Sequence, residues 1–141
     1  MSRKGARERA MVLLYRYSIT GELFNQEYDG SEPGMTDDAK LTGEDLSFVN
    51  NVTDAFIDKR DEIDSIISLN SHSWKIDRIS KIDLAILRLA IFEIRFMQTP
   101  PKVVVNEAVE LAKKYSADKS YKYINGLLGA YLKKETELAG K

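Results

Sequence analysis

The stretch from Ile79 to Met97, ISKIDLAILRLAIFEIRFM, constrains this chain more than any other. From Ile82 onward its charged residues are Asp83, Arg88, Glu93 and Arg95. At about 100° per residue they do not gather on one side, and only Arg88 and Arg95, seven apart in sequence, share a stripe. A helix apolar over most of its circumference must be covered by several neighbours. It is too short and too often interrupted by charge to cross a bilayer, which takes ~20 mostly apolar residues. The expected architecture is therefore an all-α domain in which every other amphipathic segment lays a face against this helix. Pro100 and Pro101 end it, because neither carries a backbone N–H and Pro100 pushes Thr99 out of helical space.

A chain of 141 residues has the size of one domain with a real core. Hydrophobic residues at 43% and charged residues at 30% fit a globular chain rather than a disordered one. With no cysteine there are neither disulfides nor thiolate metal sites, in keeping with a reducing cytosol. The basic start MSRKGARERA lacks the apolar run of a secretory signal. A net charge of −1 argues against a protein that coats nucleic acid indiscriminately, so any such binding must be local.

Residues 6–17 read as a first helix, with Ala6, Ala10, Leu13, Leu14 and Tyr17 as its buried stripe and Gly21 close behind. One flank places Lys4, Arg7, Met11 and Tyr15 side by side. The first sixteen residues hold Arg3, Lys4, Arg7, Arg9 and Arg16 against Glu8 alone. This is either a solvated face with a frayed basic end, or a basic strip edged by a tyrosine that neutralises phosphates and offers a ring to an unstacked base. From about Thr20 to Lys40 runs a polar, acidic connector, longer than most in compact domains, whose Leu23, Phe24 and Met35 are candidates to cap the bundle.

Thr42, with Asp45 three residues on, resembles an N-cap for a helix through Leu46, Val49, Val52 and Phe56. Its sequel buries Ile63, Ile66 and Ile67, and one bent helix or two short ones both satisfy the pattern. NSHSWK is a polar turn in which His72 is a surface residue and Trp74 a core plug. Beyond the prolines, KVVV reads as a buried extended connector, with Asn106 capping a helix whose inward side is Val105, Ala108, Val109, Ala112 and Tyr115. Lys113 and Lys114 in its last turn suit the helix dipole. The last helix spans about 118–134, with Ile124, Leu127, Leu128, Tyr131 and Leu132 inward, and Gly126 and Gly129 where two backbones approach closely. At its start Lys119 and Lys122 stand near Tyr121 and Tyr123, a second basic and aromatic cluster, at a helix terminus whose amides attract phosphate.

No glycine-rich phosphate loop, GxSxG, HExxH or cysteine cluster is present. The lone His72 makes neither a zinc site nor a catalytic pair, and the carboxylates fall on helix faces or in the connector. Catalysis is not expected, nor is a metal or cofactor.

RKGARERAMVLLY, WKIDRISKIDLAILRLAIFEI, KVVVNEAVELAKKYS and DKSYKYINGLL, in that order, resemble the NusB family of bacterial transcription antitermination factors. The similarity covers nearly everything except the connector. It implies one all-helical domain of two packed subdomains, about 1–72 and 73–141. It also implies a non-enzymatic, cytoplasmic protein with no membrane association. Such a protein binds the boxA element of ribosomal RNA leader transcripts together with NusE, the small-subunit ribosomal protein, as part of an RNA polymerase antitermination complex. By matching positions, Arg3, Lys4 and Arg7 correspond to RNA-contacting basic residues. Gly5 and Ala6 stand where family members often have further arginines, which lowers the expected RNA affinity. Tyr15 matches a tyrosine on the RNA and NusE side, Asp83 an acidic position facing NusE, and Lys122 with Tyr123 a basic and aromatic pair beside the RNA. Lys119 replaces a commonly acidic residue, a change that by charge favours RNA. A NusB-like domain also occurs fused ahead of an RNA cytosine methyltransferase. A chain that stops at Lys141 has no room for that enzyme's cofactor domain, so the stand-alone form is expected. The alternative reading is a protein-only helical adaptor or homodimer whose basic rim serves solubility.

Overall fold

The computed structural model describes residues 3–23, 41–72 and 75–139. Among them are α1 (Arg3–Thr20), α2 (Gly43–Asn70), a 3-10 turn (Ile76–Arg78), α3 (Lys81–Phe96), α4 (Pro101–Tyr115) and α5 (Ser120–Ala139). Phe24, Met35 and Trp74, expected to cap or plug the bundle, lie outside the described residues. Leu23 packs against the core and His72 is exposed.

The central helix is α3. Every residue from Asp83 to Glu93 is buried, including three charged ones. Fully burying a side chain such as Ile86, Leu87, Ile91 or Phe92 contributes roughly 1.5–3 kcal/mol, so this helix anchors the core. Its start is fixed by Ser80, whose hydroxyl accepts a hydrogen bond from the Asp83 amide at 3.2 Å. Its end is a left-handed Gln98 at φ 55°, which lets the Thr99 amide turn back to the Glu93 carbonyl at 3.1 Å. Around it, α1 supplies Ala6, Ala10, Leu13, Leu14 and Tyr17, as its spacing requires, and α5 supplies Ile124, Leu127, Leu128 and Tyr131. Together with α2 and α4 they form one continuous apolar core.

The second helix is a single element of 28 residues, the continuous one of the two alternatives. Three local readings are revised. Thr42 sits at its cap position without a side-chain capping bond, and the Asp45 carboxylate pairs with Arg3 at 3.0 Å. KVVV is not an extended connector but the first turns of α4: Pro101 at the first helical position presets the backbone, and Val103 and Val104 both donate to the Pro100 carbonyl. Val104 is buried and Val103 exposed, so tertiary packing outweighs the β-preference of three branched residues. Finally, Gly126 and Gly129 face open space, and a Cβ at either would meet nothing within 4 Å, so no close backbone approach explains them.

The charges inside the core decide how the helices are oriented. Arg88 makes two hydrogen bonds to Asp64, each 2.9 Å, and a third to Ser18 at 3.1 Å, while its guanidinium lies 5.6 Å from both the Tyr17 and Phe56 rings. Arg7, 6% exposed, binds Glu93, 1% exposed, in a forked pair at 2.9 and 3.0 Å. With Arg7 set near one end of α3 and Ser18 beside Arg88 and Lys81, α1 runs antiparallel to α3. Removing one partner of such a pair strands a buried charge and costs about 3–5 kcal/mol. Arg7→Ala is therefore expected to lower unfolding free energy by about that amount in urea titrations, with Arg7→Met/Glu93→Leu recovering most of it. A loss below about 1 kcal/mol, the range of an exposed pair, would show that Arg7 is not locked inside.

Candidate nucleic-acid interface

The first turn of α1 presents Lys4 to solvent. Arg3 is partly covered, lying 4.7 Å from the centre of the Phe48 ring while its Nε donates to Asp45. Arg7, placed beside Lys4 by the helical wheel, turns inward: the wheel shows which residues share a flank but not that Glu93 waits beneath it. It therefore has no guanidinium face to offer a phosphate. Tyr15, two turns on, packs partly against the core.

One turn after Lys4, Glu8 joins α1 to the last turn of α4. It accepts hydrogen bonds from Lys114 Nζ at 2.9 Å and from the Tyr115 hydroxyl. The spacing of α4 puts Tyr115 on its inward side, but the residue is 41% exposed, its hydroxyl held by Glu8 and its ring centre 5.2 Å from the Lys114 ammonium. An exposed ring set in a basic surface is the feature that the sequence did not single out, because its spacing matches the apolar stripe of α4.

Immediately beyond, three helix ends converge. Ser116 donates to Asp83 at 2.6 Å and bonds Ser120 at 3.0 Å, linking the end of α4 to the starts of α3 and α5. Asp83, expected to face a partner, is 7% exposed and faces this junction. A cleft of about 300 Å³ opens beside it, lined by Arg78, Asp83, Lys119, Ser120 and Tyr123 among others. Tyr123 shares a 2.7 Å hydrogen bond with Ser71 at the end of α2, and burial raises its hydroxyl pKa, with Asp83 adding to the shift against the Ser71 bond. Lys119 and Lys122 are exposed. Thus the cleft brings together Asp83, Lys119 and Tyr123, and the Glu8 and Ser116 contacts connect it through the end of α4 to Lys4. Among the described residues no three His, Asp or Glu side chains gather to hold a metal, and no helix is long and apolar enough to cross a membrane.

Partial burial raises the Glu8 pKa, but the hydrogen bonds from Tyr115 and Lys114 and the charges of Lys114 and Lys4 outweigh it, holding the carboxyl below its ordinary value. Because the folded pKa is depressed, the stabilisation is complete above the ordinary carboxylate pKa of about 4.5 and is lost as pH falls through the lower folded value. Thermal unfolding from pH 7 to pH 3 should show a smaller acid-side loss for Glu8→Gln than for the unmodified chain. Parallel curves would remove Glu8 from the set of folded-state ion pairs.

Residues 4–133 match the sequence model of the NusB family. The transcription antitermination protein NusB of Clostridium novyi (strain NT) is 42% identical over 134 residues, spanning 94% of this chain and 99% of that protein. The protein of the same name from Finegoldia magna is 39% identical over 136 residues, spanning 96% of each. A crystal structure of antitermination factors NusB and NusE in complex with dsRNA superposes with a TM-score of 0.76 at 30% identity, covering 94% of this chain and 96% of that one. With the family pattern running through almost all of its length and the same helical fold around α3, this chain belongs to the NusB family.

Proposed function

We propose that this protein is a non-enzymatic, cytoplasmic transcription antitermination factor that binds boxA-type RNA of ribosomal RNA leader transcripts together with NusE. The pair presents one composite surface to the elongating polymerase. The observation that supports this reading is the pair of contacts at the end of α4, where Glu8 of α1 accepts from Lys114 and Tyr115 and Ser116 bonds Ser120 at the start of α5. Relatives bear the name of antitermination proteins, and a structural neighbour was solved with NusE and RNA. Lys4, Lys119 and Lys122 supply positive charge in a chain whose net charge is only −1, so affinity is confined to this strip. Arg3 joins them by exchanging Asp45 for a phosphate. Tyr15, Tyr115 and Tyr123 provide rings for bases that are not stacked in a duplex, which favours a single strand. Asp83, although recessed, orients the Ser116 junction and lies where an incoming partner meets the cleft. Arg7 acts from below, by fixing α1.

Titration with a boxA oligonucleotide and with a scrambled one, each with and without NusE, tests the reading. The boxA strand should bind more tightly, and NusE should strengthen it. Lys122→Ala should lower the log–log salt slope by about 0.7, the value for one phosphate contact with a single strand. Tyr15→Asp should abolish NusE binding while leaving the far-ultraviolet spectrum helical. Equal binding of both oligonucleotides with no effect of NusE would refute this function and favour a protein-only adaptor.

A further inference from the structure

The seam between α4 and α5 contains a groove of about 450 Å³ that shares only Lys122 with the interface above. Its size lies within the roughly 300–1,000 Å³ of sites that enclose small ligands. Lys113 and Lys122 stand along it, and Lys113 Nζ lies 5.0 Å from the centre of the Tyr121 ring. Asn106 and Asn125 also line it, and neither side-chain amide is engaged by another described residue. Each offers a donor and an acceptor together, the combination that reads a base edge. Glu110, also on the wall, repels phosphate but accepts from an exocyclic amino group such as that of cytosine.

The floor supplies an independent observation. Gly126 lies inside α5, where glycine costs about 1 kcal/mol relative to alanine. Its φ is not in the left-handed region, and a Cβ there would meet nothing within 4 Å. Neither backbone geometry nor packing within the protein accounts for it. What the missing side chain does is leave the groove open and the helix backbone approachable by a ligand.

We infer that this groove is an additional nucleotide site. It takes the single-stranded RNA that continues past Lys122, with phosphates on Lys113 and Lys122 and a base held between the two asparagines above Gly126. The inference rests on the RNA-binding reading, since Lys122 belongs to both surfaces and makes the groove continuous with the proposed strip. An acidic peptide would use the lysines alone and leave the amides and Glu110 without a role.

The probe is the shortest single-stranded RNA that the unmodified protein binds, compared with the same RNA extended by a few nucleotides at either end. One extension should tighten binding by about tenfold, the lower range for a stacked or enclosed base. Gly126→Leu fills the groove with a good helix former, so it should raise the melting temperature, leave the short RNA unaffected and remove the gain from the extension. Lys113→Ala should reduce the salt slope for the extended RNA only. An extension that adds nothing to the unmodified protein, or a gain that survives Gly126→Leu, overturns this site while leaving the proposed function intact. Failure of even the short RNA to bind would overturn both, and tight capture of an acidic peptide that Gly126→Leu abolishes would reassign the groove.

Discussion

The forked pair between Arg7 and Glu93 is the contact on which the arrangement depends. Placing two charges in a core costs several kcal/mol each in lost hydration, and their mutual attraction offsets this only when the geometry is close to ideal. Here two parallel hydrogen bonds meet that condition, and Phe48 covers the guanidinium at 5.8 Å. Such a pair adds little net stability, since well-packed apolar residues of similar volume are often as stable in its place; it holds the Arg7 end of α1 over Glu93 of α3. An apolar stripe such as Ala6, Ala10 and Leu14 would pack on α3 in several registers or in either direction, whereas a single arginine has one carboxylate to meet. Fixing α1 in this way puts Lys4 and Tyr15 outside, and Glu8 over the end of α4.

From that fixed helix the surface is assembled by short polar contacts between helix ends. Glu8 ties α1 to Lys114 and Tyr115; Ser116 ties the end of α4 to Asp83 and Ser120; Tyr123 ties α5 to Ser71 on α2. Apart from the short step from Ser116 to Ser120, the links join elements distant in sequence, and each sits beside an exposed basic or aromatic side chain. The hydroxyls and carboxylates used here are consumed in holding the framework. Lys4, Lys119 and Lys122 remain outward beside them, with the ring of Tyr115, the chemistry that suits phosphates and unstacked bases.

Much of this was legible beforehand, and the reasons are particular. The near-absence of a polar side on α3 required a central helix, and the 3.6-residue spacing of Ala6 to Tyr17 and of Ile124 to Tyr131 identified the faces that cover it. What sequence periodicity does not carry is the identity of a partner distant in the chain. Arg7 and Lys4 look alike on a wheel, and only the arrival of Glu93, eighty-six positions away, makes one internal and the other external. Tyr115 fits the apolar stripe of α4 but stays exposed, its hydroxyl taken by Glu8 from α1. KVVV reads as extended because branched residues favour strands, yet Pro101 and the burial of Val104 settle it as helix. Gly126 suggests close packing on general grounds, and the structure shows open space instead.

In the proposed function, α1 and the start of α5 form one continuous face for a single strand. For a chain of 16.0 kDa, backbone amide shifts in an NMR titration with a boxA strand test it directly. Amides in residues 3–15 and 116–123 should move together, at one stoichiometry and with one affinity. Shifts confined to one of the two segments, or saturating at different concentrations for each, would contradict it.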